Sequence, residues 1–224
     1  MTRPRPSLNM ITIAFHVVDL YHNDNVTSFA DAAAAGTWGI IHKATTGGTG
    51  TDPEYVKGVR RQQALDAGLL WGAYHWGTAH TPVSDQVENF LNVAKPDANT
   101  LVALDFEETA GNQMTLDQAR EFLTLLYEQL GRQAVLYSGG LIKQQLRNTV
   151  DPFFGSHRLW LAQYGTHSPT VQKSWKNYWL WQYTDSTKGT QPSSMPGIPG
   201  DSEGNLDCNS YLGTREQLSA EWAS

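Results

Sequence analysis

Short apolar runs alternate with amphipathic segments along most of the chain. Eight segments are predicted to be strands, and one of them, residues 100–106, has the continuous apolar character of a strand buried on both faces. The eight segments are residues 11–18, 38–43, 69–76, 100–106, 133–138, 158–163, 178–183 and 205–208. Helix-like segments lie between them, and the clearest begins at the Thr115/Gln118 capping box and ends at Gly131. Another helix is predicted from the Asp52-Pro53 cap to Gly68, with Tyr55, Val56, Val59 and Leu65 at helical spacing. The pattern predicts strands joined by crossover helices.

Crossover helices imply parallel strands, because each connection must carry the chain back across the sheet. We therefore predict an α/β fold, an irregular TIM-like (β/α) barrel. Its later helices are expected to be eroded, since residues 165–176 carry no helical stripe and residues 184–203 form a Pro/Gly/Ser-rich loop. The alternative is a doubly wound open sheet. Residues 1–10 are expected to be an N-terminal extension, and residues 11–224 one domain.

Composition excludes several partners and sites. The chain of 224 residues has 16 Lys and Arg against 22 Asp and Glu, a net charge of −6, and no long basic run, so nucleic acid is not expected to bind. A single cysteine excludes an internal disulfide and a multi-thiolate metal site. No apolar stretch is long enough to span a membrane.

The N-terminal segment bears only a superficial likeness to a signal peptide. Arg3 and Arg5 precede an apolar piece, but this piece contains Thr12 and His16 and runs into Asp19 without a small-residue cleavage site. We interpret it as the first strand. The protein is then expected to be made in the cytoplasm without a standard export signal.

Polar side chains stand at the predicted carboxyl ends of all eight strands, which is where barrel active sites lie. They are Asp19, Lys43, Tyr74, His75, Asp105, Glu107, Tyr137, Gln163, Gln182 and Asp207. Four of these are carboxylates, and they come from three separate strands. The alternative for any one of them is simply the start of a polar loop.

The triplet Asp105-Phe106-Glu107 is the sharpest candidate for chemistry. Side chains two apart on a strand share a face, so both carboxylates should face the barrel axis, while Phe106 and Glu108 point the other way. With Cα atoms roughly 6.6 Å apart, each acid should perturb the ionisation of the other. One protonated and one ionised carboxyl is the requirement for glycosidic bond cleavage.

Aromatic residues near the strand ends suggest a groove that stacks on sugar rings. The candidates are Trp76, Tyr137, Trp160, Tyr164, Trp179 and Trp181. Gln163 and Gln182 could bind hydroxyl and amide groups. Core packing is the alternative for each aromatic, above all for Trp179 and Trp181, which share parity. Neither a P-loop nor a dinucleotide-binding glycine motif occurs.

These residues resemble glycoside hydrolase family 25, lysozymes that cleave peptidoglycan on an irregular β/α barrel. The matching stretches, in order along nearly the whole chain, are residues 18–20, 42–45, 52–55, 72–75, 104–107, 159–164, 181–183 and 207–209. The resemblance implies a 1,4-β-N-acetylmuramidase of the endolysin type with residues 11–224 as its catalytic domain. It also implies that the enzyme needs no metal or cofactor.

The resemblance implies that Glu107 is the general acid, that Asp105 is its close partner, and that Asp19 and Asp207 are the other two acids. The expected substrate-binding residues are Lys43, Tyr74, His75, Trp76, Tyr137, Gln163, Tyr164 and Gln182. The partner would be peptidoglycan glycan strands, bound by a monomer and reached after cell lysis or through a dedicated secretion machine. Either an enzyme carboxylate or the substrate's acetamido oxygen would then be the nucleophile.

Two other functions are also compatible with the sequence. One is a metal-dependent polysaccharide deacetylase, with Asp19 and a histidine among His16, His22, His42, His75 and His80 as ligands, although neither an H-x-H nor an H-E-x-x-H motif occurs. The other is a carbohydrate-binding barrel that has lost turnover.

Overall fold

The computed structural model describes residues 15–165, 168–189 and 192–224. The strands are β1 (Val17–Leu20), β2 (Gly39–Thr46), β3 (Gly50–Thr51), β4 (Leu70–Trp76), β5 (Leu101–Asp105), β6 (Val135–Ser138), β7 (Leu159–Ala162), β8 (Leu180–Thr184) and β9 (Asp207–Tyr211). The helices are α1 (Phe29–Ala34), α2 (Pro53–Val56), α3 (Val59–Asp66), α4 (Val83–Ala94), α5 (Leu116–Leu130), α6 (Gly140–Leu146), α7 (Pro152–Ser156) and α8 (Arg215–Glu221). The predicted extension, residues 1–10, and the start of the predicted first strand, residues 11–14, lie outside the described residues.

Eight of the strands close into a barrel. They pair in the order β1-β2-β4-β5-β6-β7-β8-β9, and β9 pairs in turn with β1, while β3 only forms a short hairpin with the end of β2. All pairs from β1 to β8 are parallel. The predicted irregular barrel is thereby confirmed, and the open sheet is excluded because β1 has a neighbour on both sides.

The last strand differs from its prediction. Residues 205–208 were expected to form an eighth parallel strand ending near Asp207, but β9 begins at Asp207 and runs antiparallel to both neighbours. The described part of the connection from β8, residues 185–189 and 192–206, contains no helix that would carry the chain to the far end of the barrel. The chain therefore re-enters at the end where β8 finished. Asp207 still reaches the carboxyl-terminal end of the barrel, directly opposite Asp19 in the β1–β9 register.

Strand parity divides the core into two layers. Val17, Ile41, Ala103 and Trp160 belong to a buried cluster inside the barrel. The alternate residues, among them Val18, pack outward against the helices in a second, larger cluster. Inside the barrel the apolar residues fill the amino-terminal half, so polar inward-facing residues are confined to the carboxyl ends of the parallel strands.

The helices follow their local signals, with one correction. The capping box of Thr115 and Gln118 begins α5 as predicted. The segment from Asp52 to Gly68, predicted as one helix, is split into α2 and α3 at Gly58, which has a φ of 71°. The later helices are eroded as predicted, since no helix joins β7 to β8 within the described residues. Among those residues no helix is both long enough and apolar enough to cross a membrane.

The apolar spacing of this split segment did not mark a core face. Val56, Val59 and Leu65 are exposed, whereas Tyr55 and Ala64 are buried against the barrel. The break at Gly58 resets the helical phase, so one periodicity cannot describe both halves. The short elements β3 and α7 were not predicted, because two and five residues carry too little pattern.

Helix α8 closes the amino-terminal end of the barrel. Trp222 is buried beneath it and donates a hydrogen bond from Nε1 to the carbonyl oxygen of Trp71 at 2.8 Å. Gly39 makes room for this indole, because a Cβ atom there would lie 2.8 Å from the Trp222 ring. With one end filled in this way, the barrel formed by the described residues opens toward the carboxyl ends of β1 to β8.

Candidate active site

A cavity of about 260 Å³ opens at the carboxyl-terminal end of the barrel. It is lined by Asp19, Tyr21, Lys43, Tyr74, Trp76, Asp105, Glu107, Tyr137, Trp160, Gln182 and Asp207. All eight strands of the barrel, or their immediate extensions, contribute to this list, each through residues of inward parity. The convergence therefore follows from strand alternation inside a closed barrel.

Asp105 and Glu107 face the cavity from the end of β5, and Phe106 between them is buried in the outer layer, as parity predicted. Burial, and next the charge of Glu107, raise the pKa of Asp105 well above its ordinary value. Burial raises the pKa of Glu107 to about 7, with a smaller contribution from the charge of Asp19. The two carboxyls therefore compete for protons near neutral pH.

Asp105 has a further property that points to a ligand. Its Oδ1 atom is buried and accepts no hydrogen bond from any residue in the described part of the chain. A buried carboxylate oxygen without a donor is costly unless a bound molecule supplies one. Asp105 itself is among the residues that line the cavity.

Lys43 brings positive charge to the same wall. Its Nζ atom lies 4.0 Å from the centroid of the Trp76 ring, and the indole Nε1 of Trp76 donates to Thr109 Oγ1 at 2.8 Å. The charge of Lys43 counters the rise in the pKa values of Asp105 and Glu107. Trp76 is half-buried, and its contacts with Lys43 and Thr109 hold the ring in place. It lines the cavity with a flat apolar surface.

Asp19 is enclosed by two buried amides. Gln182 donates from Nε2 to Asp19 Oδ2 at 3.0 Å and to Oδ1 at 3.2 Å, and Asn209 donates from Nδ2 to Oδ1 at 2.6 Å. Burial raises the pKa of Asp19 to about 6, although these hydrogen bonds oppose the rise. Burial, together with the charge of Asp19, raises the pKa of Asp207 well above its ordinary value.

A second groove of about 210 Å³ adjoins the cavity and shares Tyr21 and Asp207 with it. Its buried acid is Asp24, which is 5% exposed and accepts a hydrogen bond from the Tyr21 backbone N–H at 2.7 Å. Burial, and to a lesser extent the charges of Asp19 and Asp201, raise the pKa of Asp24 to about 7. The acidic character of the cavity thus extends past its rim.

The structure brings most, but not all, of the predicted site residues together. Lys43, Tyr74, Trp76, Tyr137 and Gln182 line the cavity with the four carboxylates. Tyr164 stands beside it, because its hydroxyl donates to Gln182 Oε1 at 2.9 Å.

His75 and Gln163 lie away from the cavity. His75 is fully buried in the outer layer, stacked on Phe122 at 4.8 Å and bonded to Thr45 and Gln86. Its parity is opposite to that of Tyr74, so it cannot share the cavity with that residue. Gln163 follows the end of β7, and its Oε1 accepts hydrogen bonds from Lys143 Nζ at 2.7 Å and from Thr170 N–H at 3.1 Å.

Two of the candidate tryptophans pack elsewhere. Trp181 belongs to the outer core and donates to the Gln163 carbonyl at 2.7 Å. Trp179 lies at the closed end of the barrel, beneath Arg158 at 4.6 Å and bonded to Glu221 of α8. Trp160 does line the cavity.

Sequence reasoning missed Tyr21 and Asn209. Each stands two residues beyond a predicted carboxylate, Tyr21 after Asp19 and Asn209 after Asp207. The parity argument used for Asp105 and Glu107 applies to both pairs and would have found them.

The five histidines proposed as metal ligands are scattered. His16 stacks on Trp38 at 3.7 Å, and His42 is buried in the outer layer beside Arg60, 2.9 Å from His42 Nε2 to Arg60 Nη1. Within the described ranges, no three His, Cys, Asp or Glu side chains are grouped so as to hold a metal ion. The deacetylase alternative therefore lacks its ligand set in this part of the chain.

A closed β/α barrel whose carboxyl-terminal cavity holds paired acids beside flat aromatic surfaces defines a carboxylate-dependent glycoside hydrolase. Residues 18–191 match the model of the glycosyl hydrolases family 25, and the chain belongs to that family.

The relatives include enzymes of bacterial and fungal origin. The chain is 28% identical over 191 residues to the autolytic lysozyme of Clostridium acetobutylicum, across 83% of this chain and 53% of that protein. The chain spans 53% to 60% of the length of the curated relatives that it matches. Its fold is shared with a lysozyme from Streptomyces coelicolor at a TM-score of 0.78 and 22% identity, covering 95% of this chain and 98% of that one. It is shared also with a muramidase from Acremonium alcalophilum at 0.76 and 24%, covering 92% and 97%.

Proposed function

We propose that this chain is a lysozyme that hydrolyses the β-1,4 bond from N-acetylmuramic acid to N-acetylglucosamine in peptidoglycan. The observation that carries the proposal is the convergence of Asp19, Asp105, Glu107 and Asp207 on one cavity with Trp76 in its wall. The match to glycosyl hydrolases family 25 supports the reaction class, and the autolytic lysozyme among the relatives supports the substrate. The site of action would be the bacterial cell wall.

Glu107 is the general acid in this mechanism. It is less buried than Asp105, and its raised pKa keeps a proton available near neutral pH. Donating that proton to the glycosidic oxygen neutralises the leaving sugar as the C–O bond breaks. Rising pH should end activity as Glu107 loses this proton.

Asp105 acts on the sugar ring that develops positive charge as the glycosidic bond breaks. Positive charge develops on the sugar ring as the bond lengthens, and Asp105 stabilises it as a carboxylate while Glu107 holds the proton for which the two acids compete. The Asp105 Oδ1 atom, which has no donor among the described residues, is also free to accept the N–H of a substrate acetamido group. Trp76 supplies a flat surface for a sugar ring, and Lys43 limits repulsion between the two acids.

The reaction is tested by digesting purified peptidoglycan, reducing the products with borohydride and analysing them by mass spectrometry. Reduced muramic acid at the new ends is the expected result, and reduced glucosamine would contradict the assigned bond. Intact glycan strands would leave only the carbohydrate-binding alternative.

The acid is tested by Glu107→Gln, with Glu108→Gln as the matched control. We expect Glu107→Gln to lower turnover at least ~100-fold, the lower end of general-acid contributions, without loss of folding. Glu108 is exposed and points away from the cavity, so its variant should keep turnover within roughly twofold of the parent. Equal losses in the two variants would refute the role given to Glu107.

A further inference from the structure

Two fully buried amides, neither of which needs to touch a substrate, converge on one carboxylate of the cavity. Asn209 on β9 and Gln182 on β8 are 0% and 1% exposed. They stand opposite each other in the β8–β9 register, and both donate to Asp19 on β1. Every polar atom of both amides is already engaged within the protein.

The orientation of Asn209 is determined by its other partners. Trp160 Nε1 donates to Asn209 Oδ1 at 2.6 Å, and an indole N–H can only donate. The opposite atom of the amide, Nδ2, must therefore face Asp19, and it also donates to the Val17 carbonyl at 3.2 Å. A reversed amide would direct its N–H group at the indole N–H of Trp160 and its oxygen at two acceptors, the Val17 carbonyl and Asp19.

The orientation of the Gln182 amide is likewise determined by its hydrogen-bond partners. Its Oε1 accepts hydrogen bonds from the hydroxyls of Tyr137 at 2.8 Å and Tyr164 at 2.9 Å. Burial raises the pKa values of both tyrosines, so their hydroxyls stay protonated and able to donate. The Nε2 hydrogens are then directed at Asp19. This engagement argues for a role inside the protein for Gln182, which we had expected to bind substrate.

We propose that Asn209, together with Gln182, is a positioning residue that holds Asp19 as the standing anion of the cavity. The inference rests on the proposed hydrolase function and deepens it. Three contacts from N–H donors suit an ionised carboxylate, which only accepts, and disfavour a protonated one. Neutral amide dipoles thus stabilise a charge that no cation contacts among the described residues.

An ionised Asp19 affects which of the other acids of the cavity hold a proton. The titratable groups around Asp19 come from every side of the cavity: Asp24, Lys43, Tyr74, Asp105, Glu107, Tyr137, Tyr164, Asp207 and Cys208. A fixed negative charge at Asp19 raises the proton affinity of Glu107 and Asp207. Asn209 therefore acts on the general acid through Asp19.

The test is an aspartate carboxyl ¹³C NMR titration of the parent, Asn209→Leu and Gln182→Met, with the Asp19 signal assigned from Asp19→Asn. We expect Asp19 to titrate about one to two pH units higher in each amide variant, the size of one lost charge-assisted hydrogen bond. The acid limb of the kcat/KM profile on peptidoglycan should move upward by the same amount.

Gln172→Leu is the matched control, because Gln172 is a buried amide that bonds Arg147, Thr149 and Ser174 away from the cavity. It should lower stability while Asp19 titrates as in the parent. A purely structural role for Asn209 would give that same result in Asn209→Leu and would overturn the proposal. So would an Asp19 that is protonated at neutral pH in the parent.

If one amide variant does not fold, the other gives the same readout. Because the NMR titration needs no turnover, failure of the proposed lysozyme activity would leave it intact and would be seen separately.

Discussion

Replacing Asp24 by asparagine should stabilise the protein, and the gain should grow with pH. Asp24 is 5% exposed, and burial raises its pKa from the ordinary 3.8 to about 7. The folded state therefore keeps this proton up to about pH 7, whereas the unfolded state releases it near pH 4. As pH rises through this window, the unfolded state binds fewer protons and is favoured, so stability contributed by the protonated form is lost.

The size of the effect follows from the two pKa values. A difference of about three pH units at about 1.4 kcal/mol each gives at most about 4 kcal/mol at about pH 8. At about pH 5 the expected gain is only roughly 1.5 kcal/mol. At that pH the folded carboxyl is still protonated, and the pH is only about one unit above the pKa of the unfolded carboxyl. Asparagine stays neutral throughout, and its Oδ1 can keep the hydrogen bond from Tyr21 N–H.

The assay is urea unfolding of parent and Asp24→Asn at about pH 5 and about pH 8, followed by tryptophan fluorescence. The gain should be larger at the higher pH by roughly 2.5 kcal/mol, or about 5–10 °C in Tm. Asp66→Asn, at an exposed site on α3, is the control and should change stability by less than about 0.5 kcal/mol. An Asp24→Asn gain that is absent, or equal at both pH values, would refute the assignment of a buried, protonated carboxyl.

Three further substitutions probe other parts of the argument. Trp76→Ala should lower kcat/KM on peptidoglycan roughly two- to tenfold, since it removes a stacking surface worth roughly 0.5–1.5 kcal/mol; an unchanged value would exclude Trp76 from sugar binding. His75→Leu should cost about 2 kcal/mol of stability in urea unfolding, because it leaves buried partners unsatisfied, while KM stays within roughly twofold; a large rise in KM would place His75 back in the site. Thr115→Ala should lower stability by about 1 kcal/mol through loss of the α5 cap, and no loss in thermal unfolding would contradict the capping geometry.

Strand parity explains which site predictions agreed with the structure. Asp105 and Glu107 were placed correctly because the alternation of a strand is a local property that the sequence carries in full. His75 was included because it neighbours Tyr74 at a strand end and belongs to the family-like stretch 72–75, although its parity already directed it outward. The missed residues Tyr21 and Asn209 were within reach of the same rule.

Neither the direction of a strand nor the closure of the barrel can be deduced from local sequence pattern. The sequence predicts a brief strand at residues 205–208 but does not record that β9 runs antiparallel, which depends on where the preceding loop leaves the chain. Apolar spacing likewise misjudged the segment from Asp52 to Gly68, because a single left-handed glycine divides it. Gln163 lies near the correct end of the barrel, but its loop turns it toward Lys143.

The sequence by itself determined most of the elements, their caps and the inward carboxylates, because these depend on residues at most a few positions apart. Only the tertiary structure decided which carboxylate keeps a charge. Burial, and donors contributed by Gln182 and Asn209 from strands more than 150 residues beyond Asp19, set its proton affinity. A pKa depends on the desolvation and the dipoles that surround a group in space, and closure of the barrel is what brings those groups to Asp19.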